Sequence, residues 1–149
     1  MPSGWRWLEH TADVGLEVEA GDLPSLFAAL GEATLALLLE RPPHRPRRGR
    51  GERALQLEAP DLEGLVVRWV DELLYLVQTR SFVPARWRLE VTPGEGEAPW
   101  RLAARLEGVP LEPGRMGFRG EVKAATRHRL LAGREAPDGR WRVRLYLDV

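Results

Sequence analysis

The chain has 149 residues, which is long enough for one domain with a buried core, and its hydrophobic share of 44% argues against general disorder. The formal net charge is zero, so the composition does not favour a protein that binds duplex nucleic acid through a basic face. The absence of cysteine excludes disulfides, thiolate metal sites and cysteine nucleophiles. We expect a single cytoplasmic domain over residues 1–149, because neither a signal peptide nor a membrane-length apolar segment occurs.

The first third of the chain predicts two strands and a helix. Apolar and polar residues alternate over residues 5–9 and again over residues 14–19, as in strands with one buried face. Asp22 is a good N-cap, and apolar residues follow it at helical spacing through residues 23–38. Residues 41–51 are rich in Pro, Gly and Arg and predict a loop.

A second amphipathic helix is predicted over residues 62–77, with Asp61 as its cap. The remaining strand candidates are residues 54–58, 85–92, 100–107, 119–132 and 140–148. Turn sequences at 94–96 and 137–139 separate two pairs of them. These elements predict an α+β fold in which two helices pack on a mostly antiparallel sheet as a two-layer sandwich.

The motifs of common enzymes are missing. No glycine-rich phosphate loop, no Gly-x-Ser-x-Gly sequence and no histidine pair with metal-ligand spacing on one helix occurs. His10, His44 and His128 are scattered along the chain, and a scattered histidine is more often structural than catalytic. The sequence therefore does not indicate an enzyme.

Acidic residues near the two ends of the chain are candidates for a metal site. Asp13 lies where the corner formed by residues 10–12 meets a strand, and capping of that corner is its simplest alternative role. Asp148 stands beside the α-carboxylate of Val149, although a frayed, solvated terminus would need no metal. If Asp13 folds nearby, three carboxylates converge, and oxygen ligands of this kind favour Ca²⁺, Mg²⁺ or Mn²⁺ over zinc or copper.

Lys123 is the only lysine among 22 basic residues. Lysine is a compact point charge on a flexible stem, so a site that needs one resists replacement by arginine, but chance and simple solvation are alternatives. In a regular strand His128 would lie on the opposite face from Lys123, so the two are not expected to act together unless a bulge intervenes. The arginine-rich loop Arg41–Arg53 is either a solvated linker or a contact for RNA phosphates.

These segments, in this order, resemble the archease family. The resemblance rests on residues 10–18 (HTADVGLEV), 61–75 (DLEGLVVRWVDELLY), 122–128 (VKAATRH) and the terminal strand 141–149 (WRVRLYLDV). It extends over essentially the whole chain. Two positions depart from the family pattern: Asp71 stands where Asn is common, and Arg127 where an aromatic residue is common.

The resemblance implies an α+β sandwich that serves as a non-catalytic accessory factor of an RtcB-type RNA ligase. Such a factor promotes guanylylation of the ligase's histidine and sustains its turnover in tRNA splicing and RNA repair. By motif, Asp13, Asp148 and the terminal carboxylate of Val149 would bind a divalent metal ion, with Ca²⁺ the first expectation and Mg²⁺ or Mn²⁺ the alternatives. Lys123 would support activation of the partner, and RNA would be met only indirectly, through the loop Arg41–Arg53.

Two other functions remain open from the sequence. The first is a chaperone or specificity modulator of a tRNA-modifying enzyme such as an RNA methyltransferase, a role also suggested for this family. The second is a free-standing hydrolase that would use the same carboxylates with a metal ion. The missing nucleophile, general-base pair and phosphate loop all speak against the hydrolase.

Overall fold

Seven strands and three helices form within residues 3–9, 13–43, 51–135 and 138–149, the parts of the chain that the computed structural model describes. In chain order they are β1 (Gly4–Glu9), β2 (Asp13–Ala20), α1 (Leu23–Leu38), β3 (Gly51–Ala59), α2 (Leu62–Gln78), β4 (Phe82–Thr92), β5 (Trp100–Pro110), α3 (Pro113–Met116), β6 (Ala124–Glu135) and β7 (Arg140–Asp148). The predicted α+β class is confirmed.

The strands form two antiparallel sheets rather than the single sheet predicted. One sheet has four strands in the order β1-β2-β7-β6, and the other has three in the order β3-β5-β4. The alternation of apolar and polar residues reveals which face of a strand is buried, but it does not reveal which strands pair. The short helix α3 was also not predicted, because four residues carry no amphipathic period.

Both long helices begin at their predicted caps. The Asp22 carboxylate accepts a hydrogen bond from the Ser25 N–H at 2.8 Å, and the Asp61 carboxylate accepts one from the Gly64 N–H at 2.7 Å. Each bond satisfies a backbone donor that has no partner inside the helix. Neither helix, nor any other in the described residues, combines the length and apolar character needed to cross a bilayer.

The helices join the two sheets into one core. Helix α1 contacts β1, β2 and β7 of the four-stranded sheet and β4 of the other, while α2 contacts β6 and all three strands of the second sheet. Trp69 of α2 is fully buried, and its indole N–H donates to the carbonyl oxygen of Phe27 in α1 at 2.9 Å. The apolar stripes predicted for both helices are therefore core faces.

Strand β6 is interrupted by a bulge. Thr126 lies opposite Tyr146 and Leu131 lies opposite Arg144, so five steps on β6 correspond to two steps on β7. Arg129, inside the bulge, has a φ of 58°. The predicted strand 119–132 thus starts late and is irregular. The condition of a regular strand, on which His128 and Lys123 would lie on opposite faces, is not met, because Lys123 precedes the strand and His128 lies in the bulge.

The strand after the predicted loop 41–51 begins earlier than the predicted residue 54. Residues 44–50, with His44, lie outside the described residues, but Gly51 already pairs with Gly108 of β5 and begins β3. The last three residues of the proposed RNA-contacting loop Arg41–Arg53 therefore belong to strand β3. Backbone pairing with β5 satisfies the hydrogen-bonding groups that a loop would leave to water.

The Gly- and Pro-rich stretch from Val109 to Gly120 is ordered against the end of α1. The N–H of Glu40 donates to the carbonyl of Gly117 at 3.0 Å, and the N–H of Arg119 donates to that of Leu38 at 2.8 Å. Met116 is buried in the core. This packing directs the chain from β5 to the start of β6, where Lys123 lies.

Substitution of Gly108 should destabilise the three-stranded sheet. A Cβ atom at this position would collide with the Val83 carbonyl oxygen and would lie 2.6 Å from the Phe82 ring. We expect Gly108→Ala to lower the free energy of unfolding by about 1–3 kcal/mol, the usual cost of overpacking, as measured by urea denaturation. Gly133→Ala in β6, where no atom lies within 4 Å of the added methyl group, is the control; equal unfolding midpoints for the two variants would contradict the expectation.

Candidate functional site

The outer face of strands β2 and β7, which points away from the helices, carries a ladder of ion pairs. Glu17 and Arg144 lie opposite each other with 2.9 Å between carboxylate and guanidinium, and Glu19 and Arg142 do so at 3.1 Å. The hydrogen bond from Arg144 lowers the pKa of Glu17 below its usual range. Each of these two acidic residues of β2 thus faces a cation on β7, as cross-strand pairing favours.

The ladder of ion pairs stops at the end of the sheet, where an acid faces another acid: Asp13 lies directly opposite Asp148. Side chains opposite each other on paired strands have Cβ atoms about 4.5–5.5 Å apart, so the two carboxylates share one small region. Neither carboxylate has a hydrogen bond or ion pair within the part of the chain that the structure describes. Two like charges directly opposite each other are unfavourable, in contrast to the acid–arginine pairs at Glu17 and Glu19.

A divalent cation suits this arrangement. Asp13 and Asp148 offer hard oxygen donors, and the α-carboxylate of Val149 is the next group along the chain, with Val149 itself 54% exposed. Within the described ranges no three His, Cys, Asp or Glu side chains cluster as metal ligands, so the α-carboxylate is the third donor to consider. Residues 10–12, including His10, lie outside the described residues.

Lys123 lies beside this aspartate pair. Its backbone N–H donates to the Asp148 carbonyl oxygen at 2.9 Å, and the next residue, Ala124, pairs with Asp148 across the sheet. The Lys123 side chain is exposed, and its ammonium group has no hydrogen bond or ion pair to any described residue. The structure therefore brings together Asp13, Lys123 and Asp148, which lie far apart in the sequence.

A groove of about 630 Å³ runs along α2 next to Lys123. Asp71 and Gln78 line it on the helix side, together with Tyr75, which is 46% exposed. Burial raises the pKa of Asp71, although the carboxylate accepts a hydrogen bond from the Ala125 N–H at 2.8 Å. The groove was not predicted from the sequence, where the polar residues Asp71 and Gln78, two helical turns apart, were its only signal.

The comparisons with known proteins agree along the length of the chain. The model of the "Archease protein family (MTH1598/TM1083)" matches residues 5–149. "Protein archease" of Pyrobaculum calidifontis is 33% identical over 151 residues, covering 99% of this chain and 97% of that protein, and "Protein archease" of Pyrococcus furiosus is 29% identical over 145 residues, covering 97% and 98%. The solution structure of Methanobacterium thermoautotrophicum protein 1598 superposes with a TM-score of 0.73 at 25% identity, covering 98% of this chain and 99% of that one.

Proposed function

The chain belongs to the archease family, and on that premise we propose that it is a metal-binding activator of an RtcB-type RNA ligase. Membership in the family supports an accessory protein rather than an enzyme. In the proposed role the protein promotes guanylylation of the ligase's histidine and sustains repeated turnover during tRNA splicing and RNA repair in the cytoplasm. It seals no RNA itself.

One observation carries the proposal. Asp13 and Asp148 face each other, with neither carboxylate paired to a basic side chain among the described residues, at the end of a sheet whose two other acidic residues on β2 each face an arginine. Beside them stands the chain's only lysine, with its ammonium group exposed and unpaired among the described residues. Two carboxylates that could bind a cation, together with a nearby exposed ammonium group, would place positive charge where the phosphate groups of a partner's substrate react.

Each residue has a distinct part in the proposed mechanism. The carboxylates of Asp13 and Asp148, with the α-carboxylate of Val149, would hold a divalent cation, for which Ca²⁺ is the first expectation and Mg²⁺ or Mn²⁺ the alternatives. Such a cation would supply positive charge to phosphate oxygens in the ligase's active site. The ammonium group of Lys123 would donate hydrogen bonds to an oxygen of the nucleotide or of the ligase from the same side.

RNA is not proposed as a direct ligand of the carboxylate site. The exposed Arg53 in β3 and the arginines that precede it in the sequence would meet RNA only while the ligase holds it. Salt should weaken that contact.

The second candidate is a chaperone or specificity modulator of a tRNA-modifying enzyme such as an RNA methyltransferase. The exposed Tyr75 in the groove beside Lys123 favours a protein partner of some kind, but the aspartate pair has no part to play in that function. The hydrolase alternative is disfavoured because the sequence contains neither a Gly-x-Ser-x-Gly nucleophile motif nor a glycine-rich phosphate loop.

A paired stimulation assay tests the proposal. The purified chain alone should leave RNA ends and nucleotides unchanged. When it is added to an RtcB-type ligase with GTP and Mn²⁺, the rate of ligase guanylylation and the number of turnovers should rise; when it is added to an RNA methyltransferase, the rate and the site of methylation should stay the same. Stimulation of the methyltransferase alone would transfer the proposal to the second candidate, and activity of the chain by itself would favour the hydrolase.

A further inference from the structure

The segment that carries Lys123 is held to helix α2 by the side chain of Gln78. The Gln78 amide oxygen accepts a hydrogen bond from the Val122 N–H at 2.7 Å, and its amide nitrogen donates to the Val122 carbonyl oxygen at 2.8 Å. One side chain thus satisfies both backbone groups of the residue just before Lys123. Residues 119–123 form no strand, so this pair substitutes for the ladder that a strand would provide.

Asp71 holds the backbone on the C-terminal side of Lys123, as Gln78 does on the N-terminal side. It lies two turns before Gln78 on the same side of α2, and its carboxylate accepts a hydrogen bond from the Ala125 N–H at 2.8 Å. The N–H of Lys123 itself donates to the Asp148 carbonyl oxygen at 2.9 Å. The backbone is therefore fixed at Val122, Lys123 and Ala125, whereas the lysine ammonium group has no described partner.

We infer that Asp71 and Gln78 are positioning residues that determine where Lys123 presents its ammonium group. A flexible side chain samples only the volume that its backbone anchor permits, and displacement of a functional group by about 1 Å can lower a rate about 10²-fold. Neither residue touches the partner's reacting groups in this role. The inference rests on the proposed function of Lys123, and it adds that α2 keeps the lysine at a constant position relative to Asp13 and Asp148.

A purely structural role is the competing explanation. Loss of a partly buried hydrogen bond lowers the free energy of unfolding by about 1–3 kcal/mol wherever it occurs, without necessarily affecting activity. Asp71→Ala removes the acceptor for the Ala125 N–H, whereas Asp71→Asn keeps an oxygen acceptor of the same reach. Gln78→Ala removes both bonds to Val122. Gly108→Ala, which strains the other sheet, controls for loss of stability alone.

The experiment measures ligase guanylylation at saturating accessory protein, at a temperature where all variants are folded. Asp71→Ala and Gln78→Ala should lower the stimulated rate about tenfold or more, with Asp71→Asn close to wild type and Gly108→Ala unaffected. In the background of Lys123→Met, Asp71→Ala should cause no further loss, because the residue acts through the lysine.

A spectroscopic readout follows the lysine directly. Since Lys123 is the only lysine, labelling with ¹³C,¹⁵N-lysine yields one Cε signal in an NMR spectrum. That signal should shift or broaden in Asp71→Ala and Gln78→Ala and stay in place in Asp71→Asn. Full stimulation by Asp71→Ala and Gln78→Ala together with loss in Lys123→Met would overturn the inference alone. Full stimulation by Lys123→Met would overturn the proposed role of the lysine instead.

Discussion

Replacing Asp148 with asparagine should abolish the stabilisation of the protein by divalent cations and, with it, the stimulation of the ligase. In wild type the two facing carboxylates should repel each other at a cost of about 0.2–1 kcal/mol for a cross-strand pair, and the proposed cation would relieve that repulsion. Asp148→Asn removes that repulsion, so in EDTA the variant should melt at the temperature of wild type or slightly above it. Asp13→Asn should behave in the same way.

The change in Tm on addition of a divalent cation should distinguish the two asparagine variants from wild type. A ligand at 100 times its Kd stabilises the folded state by about 2.7 kcal/mol, which corresponds to roughly 5–10 °C in the Tm of a domain of this size. Wild type should show a shift of this order with at least one of Ca²⁺, Mg²⁺ and Mn²⁺. Both asparagine variants should show almost none, as measured by calorimetry with and without EDTA.

Glu19→Gln is the matched control for this experiment. It removes one negative charge from the same face of β2, but Glu19 faces Arg142 rather than another acid, so the cation response should persist. A full Tm shift in Asp13→Asn and Asp148→Asn would contradict the metal site. Two glycines added after Val149 would carry the α-carboxylate about 7 Å away, and an unchanged shift in that variant would remove Val149 from the donor set while leaving the aspartates in it.

Replacing Lys123 with methionine should reduce stimulation of the ligase without changing the stability of the protein or its response to cations. The stimulated rate of guanylylation should fall on the order of 10²-fold, the size expected when one preorganised donor to a developing negative charge is lost. The Tm and the response to cations should stay near their wild-type values, because the ammonium group is exposed and has no partner among the described residues. Rapid-quench measurement of the guanylylated ligase, with calorimetry on the same samples, checks both parts.

Lys123→Arg refines that result. Arginine keeps the positive charge but replaces the compact ammonium with a wide planar fork, so partial stimulation is expected. The other 21 cationic residues of the chain are arginine, which means that charge alone does not account for a lysine here. Stimulation by Lys123→Met at the wild-type rate would contradict the assignment of this residue.

Local patterns were enough to predict the two long helices. The caps at Asp22 and Asp61 and the apolar spacing after them depend on neighbours within a few residues, and the structure confirms them. The separation of Asp148 from Leu147 onto opposite faces follows from the two-residue period of a strand. Such information is contained in any short window of sequence.

The pairing of strands that are distant in the sequence could not be predicted from such short stretches. Asp13 and Asp148 meet because β2 pairs with β7, and no periodicity in either segment specifies that partner. The resemblance to the archease family is what suggested that the two acids belong together. The bulge of β6 was also missed, since Thr126–Leu131 contains no glycine to mark an irregularity, and Arg129 adopts its positive φ without one.

The position of β7 between β2 and β6 bears on how the protein is made in the cell. A ribosome releases the hairpin of β1 and β2 early, but the strand that covers the open edge of β2 is the last of the described strands to emerge. Until then the nascent chain exposes an unpaired strand edge, and pairing over so long a sequence separation is intrinsically slow. Asp13 and Asp148 come together only in that final step, so a partly synthesised chain would lack the proposed cation site.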